Sequence, residues 1–486
     1  MKKRTLIFLL YIAGFSLSSC NDYLNIQPQN QVTEENLFKT SKGYFDALVG
    51  IYSKMRQSYS PGAFFIAGNL DHMANLFYNP ELSTTFPIGN ADYSNSYADA
   101  SLGAAFLQEY NTIASANILL EGIEKYKNNQ VLGVDDANLI KGEALALRAF
   151  SHFDLLRIWG PIPGQVGTKA YLPYSKEVKT IPLTYNSYAE YTEALIADLN
   201  EAELLLSKSD PLLEFSNIQL NINSGSAGKY ASFEYFWRQN RLNYYAVLAL
   251  KARVYAWLGM ADEATKYAKQ VIAATNSDGS KKFVLGVEAN INAQDRALFN
   301  EHIFGLHIND FNPQMLFGNG TSAGSTYNTT EKIEPLFTEK ANDFRRKNFK
   351  DIAWSRFNPV PTSTTKKYED LIRTTGTGKF SIPLIRLSEM YLIVAELAPV
   401  SEANTYFETF QKSRGLTNIV ILNSSNRKQA VRDEYYREFY AEGQIFFMEK
   451  RLGSQTLKLA PARVMGEFEY VPPLPSGEIG RFDNVQ

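Results

Sequence analysis

The pentapeptide from Gly320 to Gly324 reads Gly-Thr-Ser-Ala-Gly and matches the G-x-S-x-G motif of α/β-hydrolases. In those enzymes the serine sits on a sharp strand-to-helix turn, so an apolar strand has to lead into the motif. Here Asn319 precedes the motif, Ser325 and Thr326 follow it, and no apolar strand feeds the turn. The pattern therefore indicates a glycine-rich loop with a chance serine rather than a nucleophile.

The segment from Gly376 to Lys379 is similar to the end of a phosphate-binding loop. That motif needs a first glycine where this chain has Arg373. It also needs a serine or threonine after the lysine to contact magnesium, and Phe380 stands there. A phosphate loop is therefore rejected. No H-E-x-x-H motif occurs and no spacing marks a pair of catalytic carboxylates, so we expect no catalytic residue.

The composition argues against metal and nucleic-acid sites. One cysteine and four scattered histidines (His72, His152, His302 and His307) argue against a Cys/His zinc site, and one cysteine forms no intrachain disulfide. The 49 basic and 51 acidic residues leave a net charge of −2, which disfavours a general nucleic-acid binder. We expect no metal, no cofactor and no nucleic-acid partner. The 31 Phe, 29 Tyr and 4 Trp make the chain unusually aromatic.

The first twenty residues have the order of a bacterial lipoprotein signal. Three cations lie within residues 1–4, an apolar run extends from Leu6 to Leu17, and two serines precede Cys20. The apolar run is too short to span a membrane, which takes about 20 residues. Leu17 to Cys20 resembles a lipobox, although Ser19 stands where Gly or Ala is usual. We expect residues 1–19 to be removed and a lipidated Cys20 to anchor the chain, since two or more acyl chains hold firmly.

Apolar residues recur at the three- and four-residue spacing of helices in several segments. One stripe runs from Phe106 to Ile123, a second from Tyr188 to Leu206, and a third from Tyr245 to Leu258. Gly259 and Met260 then lead directly into a stripe from Ala264 to Ile272. Because so short a turn makes two helices antiparallel, the sequence predicts a helical hairpin here.

This hairpin partly matches a tetratricopeptide repeat. Ala252, Tyr255, Gly259 and Ala264 fill its small, aromatic, glycine and small positions, whereas Lys251 stands where the repeat prefers leucine. A second pair, 384–398 and 402–413, is separated at Pro399. No regular period of about 34 residues runs through the chain. We expect an all-α fold of degenerate helical hairpins, with long recognition loops at Asn69–Asn95, Asn217–Lys229, Leu306–Thr330 and Asn358–Lys379.

The predicted helix 138–159 carries the most specific motif. It contains Ala-Leu-Arg-Ala-Phe-Ser-His-Phe-Asp-Leu-Leu-Arg from Ala146 to Arg157 and ends in Trp-Gly-Pro-Ile-Pro from Trp159 to Pro163. This signature resembles the SusD/RagB family of surface nutrient-binding lipoproteins. Further matching segments follow in the family's order: 38–52, 191–206, 243–272, 343–345, 385–396, 434–451 and 472–479. The resemblance extends from Cys20 to the C-terminus and implies a single domain, residues 20–486.

Two positions depart from the family pattern. Met448 stands where an aspartate is common, and the stretch from Lys412 to Leu416 lacks one small residue of the usual R-x-R-A-G-L. Within the signature helix we expect Arg148, Asp154 and Arg157 to hold helices together rather than to contact a ligand. The signature thus indicates the fold and says little about ligand contacts.

The resemblance implies four tetratricopeptide-like units that support a loop-rich half, without enzymatic activity or cofactor. Family members sit at the outer membrane as a hinged lid on a SusC-like TonB-dependent transporter. They capture glycan there, or peptide in RagB-like cases, for import. For this chain glycan capture is the first hypothesis. The alternatives are a RagB-like peptide binder, a surface adhesin or scaffold lipoprotein, and an undetected hydrolase.

The loops contain side chains suited to sugars. Sugars pack their C–H faces on aromatic rings, while their hydroxyls need amide and carboxylate partners. One candidate cluster comprises Asp71, Asn75, Phe77, Tyr78, Asn79, Tyr93, Asn95 and Tyr97. A second comprises Asn309, Asp310, Phe311, Asn319 and Tyr327, with Trp354 as a separate platform. For each aromatic residue the competing interpretation is a buried ring that anchors its loop.

Overall fold

The computed structural model describes residues 33–179, 181–221, 228–230, 232–311, 326–338, 342–346, 354–357, 362–369 and 380–478. Helices dominate these residues and the strands are short, which confirms the predicted all-α class. The predicted signal segment 1–19, Cys20 and the motifs 320–324 and 376–379 lie outside the described residues. No helix among the described residues has the length and apolar character needed to cross a membrane.

The helices follow one another along the chain. They are α1 (Glu34–Leu37), α2 (Ser41–Tyr59), α3 (Asn69–Met73), α4 (Phe86–Gly89), α5 (Ser96–Lys125), α6 (Val134–Trp159), α7 (Tyr188–Ser209), α8 (Asn217–Asn221), α9 (Tyr244–Trp257), α10 (Ala261–Ala273), α11 (Glu288–Asn292), α12 (Thr330–Ile333), α13 (Leu387–Leu397), α14 (Val400–Ser413), α15 (Arg427–Glu438), α16 (Ile445–Leu452) and α17 (Glu467–Tyr470).

The strands form small antiparallel sheets between the helices. They are β1 (Ala170–Leu172), β2 (Asn186–Ser187), β3 (His302–His307), β4 (Tyr327–Thr329), β5 (Trp354–Phe357), β6 (Thr362–Thr365), β7 (Ser381–Arg386), β8 (Thr456–Leu457) and β9 (Ala460–Val464). β1 pairs with β2, β3 with β7 and β8 with β9, while β6 lies between β4 and β5. In that three-stranded sheet Thr364 is opposite Tyr327 on one side and Ser355 on the other.

The predicted stripes lie on α5, α7 and α9, and the predicted hairpin is the pair α9 and α10. Helices α13 and α14 form the second pair, with Pro399 in the link between them. Helix α6 begins at Val134, four residues before the predicted start. Asp135 and Asp136 in its first turn explain the difference, because acidic side chains stabilise a helix N-terminus even where the apolar periodicity is weak.

Arg148 joins three helices, as predicted. Its Nε and Nη2 donate to the two carboxylate oxygens of Asp198 on α7, each at 2.7 Å. Its Nη1 donates to Asn117 Oδ1 on α5 at 2.9 Å. All three side chains are buried. The guanidinium therefore fixes the positions of α5 and α7 against α6.

Asp154 and Arg157 make a second buried link from α6. The Tyr59 hydroxyl on α2 donates to Asp154 Oδ2 at 2.5 Å, and Arg157 Nε donates to Asp154 Oδ1 at 3.0 Å. The Arg157 guanidinium also lies 3.6 Å from the centre of the Phe447 ring on α16. These contacts confirm that the charged signature residues connect helices.

Glu438, at the end of α15, is the centre of a buried ion-pair network. Its carboxylate accepts from Arg345 at 2.9 Å, Arg386 at 2.6 Å and Arg414 at 2.7 Å. Burial alone would raise the pKa of Glu438, but these guanidinium groups hold the pKa well below its usual range. The network ties β7 and the end of α14 to α15 through one carboxylate.

Several segments predicted as loops contain short elements. The stretch 69–95 includes α3 and α4, 217–229 includes α8, 306–330 includes β4, and 358–379 includes β6. A helix of four or five residues completes little more than one turn, and a strand of three or four residues is equally short. Such elements leave no periodic pattern in the sequence. Lys251 also has a structural explanation, since its Nζ donates to Asn200 Oδ1 and the Tyr267 hydroxyl, each at 2.7 Å.

Candidate functional site

Tyr78 and Tyr327 bring the two predicted clusters together at the surface. Tyr78 lies in the loop between α3 and α4, and its backbone N–H donates to the carbonyl of Tyr327 on β4 at 2.7 Å. Their ring centres are 5.9 Å apart and the ring planes are inclined by 40°. Tyr78 is 42% exposed and Tyr327 is half-buried. We call these two residues the tyrosine pair.

The carbonyl of Leu76 fixes the support beneath the tyrosine pair. It accepts from Asn328 Nδ2 at 2.8 Å and from the Tyr440 hydroxyl at 2.7 Å. Phe77 is buried and packs edge-on against Tyr440, with ring centres 5.8 Å apart. Burial is the main cause of a raised pKa for Tyr327, so its hydroxyl stays protonated and can donate at neutral pH. The pair is a prepositioned aromatic surface with hydrogen-bonding hydroxyls.

Asp71 lies under this loop and is fully buried. Its Oδ1 accepts from the backbone N–H of Gly443 at 3.2 Å. Burial raises its pKa to about 8, since removing a carboxylate from water disfavours the charged form. The carboxyl group is therefore mainly protonated at neutral pH and supports the loop from inside.

The amides of Asn75 and Asn79 hold the same loop in shape. Asn75 Nδ2 donates to the carbonyl of Gly89 at 2.8 Å, and the residue has a φ of 52°. Asn79 Oδ1 pairs with His72 Nδ1 at 2.6 Å. Burial lowers the pKa of His72 to about 4, so this imidazole is neutral at pH 7 and donates to the amide oxygen. Both asparagines already have partners within the segment 69–95.

The last part of the first cluster surrounds the start of α5. Tyr93 is buried and its hydroxyl donates to the carbonyl of Glu469 at 2.7 Å. Asn95 caps α5 by accepting from the backbone N–H of Tyr97 at 2.9 Å. Tyr97 is exposed, and its hydroxyl lies 3.3 Å from Asn69 Oδ1. Of these three residues, Tyr97 offers its ring to solvent.

The second cluster separates into two groups. Asn309 and Asp310 are exposed and accept from Arg56 Nη2 at 3.1 and 2.5 Å. Phe311 is half-buried against the core. Tyr327 instead belongs to the tyrosine pair. Asn319 lies outside the described residues, and Trp354 is described only as the first residue of β5, with its side chain outside the description.

The C-terminal segment contributes to the lining of two large cavities. One of about 720 Å³ is lined by aliphatic residues such as Leu107, Ile181 and Leu183, together with aromatic and charged residues. The other, of about 530 Å³, is lined by Trp159, Tyr171 and Phe468 among others. None of these three aromatic residues was predicted as a ligand contact from the sequence. They come from three distant segments, and a four-residue helix such as α17 gives no pattern that would have identified Phe468.

Two family models match the chain. A model described as starch-binding and associating with the outer membrane matches residues 22–217, and the SusD family model matches residues 317–465. A SusD-like protein of Formosa agariphila is 27% identical over 224 residues, which cover 45% of this chain and 41% of that protein. The aligned region therefore spans less than half of that curated relative.

Solved structures extend the similarity over nearly the whole chain. A SusD superfamily protein from Bacteroides thetaiotaomicron has 20% identity and a TM-score of 0.66, covering 92% of this chain and 99% of that one. Surface glycan-binding protein A of the same species, solved with laminarihexaose, has 16% identity and a TM-score of 0.62, with the same coverage. At these identities the similarity establishes the fold.

Proposed function

Because this chain belongs to the SusD/RagB family of non-catalytic binding proteins, we propose that it captures glycan at the outer membrane. The family description already includes starch binding and association with the outer membrane. The single observation that carries the proposal for this chain is the exposed tyrosine pair, Tyr78 and Tyr327, on its fixed support.

The tyrosine pair suits the chemistry of a sugar ring. Two inclined rings 5.9 Å apart offer apolar faces to the C–H surface of a sugar, and each phenol hydroxyl can donate and accept at its edge. The backbone hydrogen bond between the two residues and the two bonds to Leu76 hold this surface before ligand arrives. Little ordering is then needed on binding, which favours affinity.

Two solved relatives support a glycan rather than another ligand. One is a laminarin-binding SusD-like protein with a TM-score of 0.61, and the other is the surface glycan-binding protein in complex with laminarihexaose. Both are below 20% identical to this chain, so their ligands suggest glycan as the class of ligand and do not identify the individual sugar.

A lipid anchor and a transporter partner complete the proposed function. The protein is anchored at the cell surface by lipid at Cys20 and delivers glycan to a SusC-like TonB-dependent transporter. The order of cations, apolar run and cysteine supports the anchor, and family membership supports the transporter. Co-purification from detergent-solubilised membranes tests the partnership. Recovery of the protein only as a free species, with the transporter expressed and mild detergents used, would contradict it.

The experiment for the binding function uses soluble protein lacking residues 1–20. Affinity gels containing starch, laminarin, xylan, mannan or pectin should retard the protein on at least one polysaccharide. The Tyr78→Ala variant should then migrate faster on that same gel. Absence of retardation on every gel, together with binding to a peptide library, would favour the peptide-binding alternative and overturn the proposal.

A further inference from the structure

The cavity of about 530 Å³ forms a cleft at the end of α6. Its lining includes Trp159 at the end of α6, Tyr171 of β1 and Phe468 of α17, of which Trp159 and Tyr171 are buried. Its volume falls within the range of roughly 300–1,000 Å³ that is usual for ligand pockets. We call this cavity the Trp159 cleft.

Phe468 is the most exposed ring of the Trp159 cleft, with 62% of its surface accessible. Its position is nevertheless well supported, because the buried Tyr93 ring lies behind it with ring centres 5.7 Å apart. Helix α17 is held at its start by Glu469 Oε2, which accepts from the Gly466 N–H at 2.8 Å. At its end the Tyr470 hydroxyl donates to the carbonyl of Ser454 at 2.8 Å. An exposed ring on a fixed support is suited to stacking.

Polar groups stand beside these rings. Lys169 and Glu467 both line the Trp159 cleft and both are exposed, so one supplies hydrogen-bond donors and the other acceptors. Lys169 Nζ lies 5.4 Å from the centre of the Tyr171 ring. The Tyr171 hydroxyl accepts from the Gly167 N–H at 2.9 Å, which fixes the orientation of the ring. The cleft therefore combines one exposed stacking ring, Phe468, with charged hydrogen-bonding groups.

The neighbouring cavity of about 720 Å³ is larger, and its lining also includes aromatic and charged residues, among them Phe106, Tyr110 and Glu478. Leu107 and Ile181 are both well exposed at its lining, and Pro182 and Leu183 continue this aliphatic surface. The aromatic rings that line the larger cavity are buried or half-buried, whereas Phe468 in the Trp159 cleft is 62% exposed and can stack on a sugar ring.

We propose that the Trp159 cleft is a second glycan-binding subsite, separate from the tyrosine pair, in which sugar stacks on Phe468 and its hydroxyls bond to Lys169 and Glu467. This proposal rests on the proposed glycan-binding function. A polysaccharide repeats its units, so for a chain long enough to reach both sites the second contact is intramolecular. The expected consequence is a preference for long glycans over short ones.

The test compares Phe468→Ala with the control Phe233→Ala, which removes another strongly exposed phenylalanine at a different surface. Both soluble variants are run on the starch, laminarin, xylan, mannan and pectin gels. On a polysaccharide that retards the unaltered protein, Phe468→Ala should weaken binding at least tenfold and Phe233→Ala should not change it. Melting temperatures of both variants should stay close to that of the unaltered protein, because both rings are exposed.

Three results would overturn the proposal in distinguishable ways. If Tyr78→Ala weakens binding and Phe468→Ala does not, the glycan function stands and the second subsite is wrong. If both phenylalanine variants weaken binding equally, the effect is not specific to the cleft. If no polysaccharide retards the unaltered protein, both the proposed glycan function and the proposed subsite are contradicted. Lys169→Gln, at an exposed position, provides a second variant that should weaken binding without affecting folding.

Discussion

Phe77 and Tyr78 are neighbours in the chain but have opposite environments: Phe77 is 2% exposed and Tyr78 is 42% exposed. Phe77 packs against Tyr440, whereas Tyr78 faces Tyr327 at the surface. One residue therefore supports the loop and the next presents a ring to solvent. Within a single dipeptide, one ring is thus structural and the next is the ring to which we assign ligand binding.

Tyr78→Ala should weaken binding to a retained polysaccharide tenfold to a hundredfold. This corresponds to about 1–3 kcal/mol for one stacking contact, by analogy with bases on aromatic rings. Its melting temperature should change little, because the ring is partly solvated already. Affinity electrophoresis and a thermal melt measure the two effects. Normal binding by Tyr78→Ala, Tyr97→Ala, Phe311→Ala and Trp354→Ala variants together would contradict a site built from these loop aromatics.

Phe77→Ala should instead destabilise the fold by about 3–5 kcal/mol, since truncating a buried ring leaves a cavity. Tyr93→Ala should behave in the same way, because that ring is also buried. Urea denaturation gives the free energy of unfolding for both. Stability equal to that of Tyr78→Ala would show that these two rings do not support the loop.

Arg148→Ala should cost about 3–5 kcal/mol of stability, because it leaves the buried Asp198 carboxylate without its partner. The matched control is Lys141→Ala. Lys141 pairs with Glu201 between the same two helices, α6 and α7, but both side chains are over 40% exposed. Such a surface pair contributes about 0–1 kcal/mol. Equal losses in the two variants, measured by denaturant unfolding, would be inconsistent with Arg148 as the buried connector.

Asp71 should make the protein less stable as the pH rises from 7 to 8. Its pKa is about 8 in the folded state against 3.8 as the ordinary value, so in this range the folded chain binds more protons than the unfolded chain. Stability therefore falls with rising pH, by up to about 1.4 kcal/mol per pH unit for one group. Asp71→Asn should flatten this slope, which denaturant unfolding at several pH values measures.

Comparison of the unaltered protein with Asp71→Asn separates the pH dependence caused by Asp71 from that of other buried titratable groups. Burial lowers the pKa values of three histidines to about 4, 3 and 3, so they are neutral in the folded state from pH 7 upwards: His72, His152 and His302. Burial raises the pKa of Glu109 to about 8, so Glu109 adds the same pH dependence to the stability of the unaltered protein and of the Asp71→Asn variant. The exposed Asp92→Asn variant serves as the control. An unchanged slope in Asp71→Asn would contradict the assignment.

Cys20→Ala should release the protein from the membrane, since a single lipidated cysteine is the expected anchor. Fractionation in a strain without the transporter measures this directly, because the transporter could otherwise retain the protein. A Ser19→Ala variant, which brings the sequence closer to a usual lipobox, should remain in the membrane fraction. Membrane retention of Cys20→Ala in that strain would disprove the anchor.

The sequence was sufficient for the parts of the fold that depend on long periodic helices. Arg148, Asp154 and Arg157 lie in α6, which was predicted from its signature motif and is buried almost all around. Their predicted structural role is confirmed by the buried contacts to Asp198, Tyr59 and Phe447. Those contacts follow from charged residues on an otherwise buried helix, which must be paired to be tolerated.

The candidate site was less accessible to such reasoning. Nothing in the letters Phe-Tyr at positions 77 and 78 tells which ring is buried, because the loop has no periodicity. The Trp159 cleft combines rings from α6, β1 and α17, so its existence depends on tertiary packing alone. The residue composition of the loops indicated side chains suited to sugars. Which of these rings are exposed could be determined only from the structure.

The two hydrogen bonds to the Leu76 carbonyl come from Asn328 and Tyr440 and hold the backbone beside the tyrosine pair. The position of the backbone there does not depend on which side chains stand at 78 and 327. Neither the Tyr78 ring nor the Tyr327 ring takes part in those bonds. Under the proposed function, exchanging either ring for Trp, Phe or His would therefore change the ligand that is recognised and leave these two hydrogen bonds intact. Positions 78 and 327 are therefore suited to protein engineering, because substitutions there could change ligand preference without redesign of the scaffold.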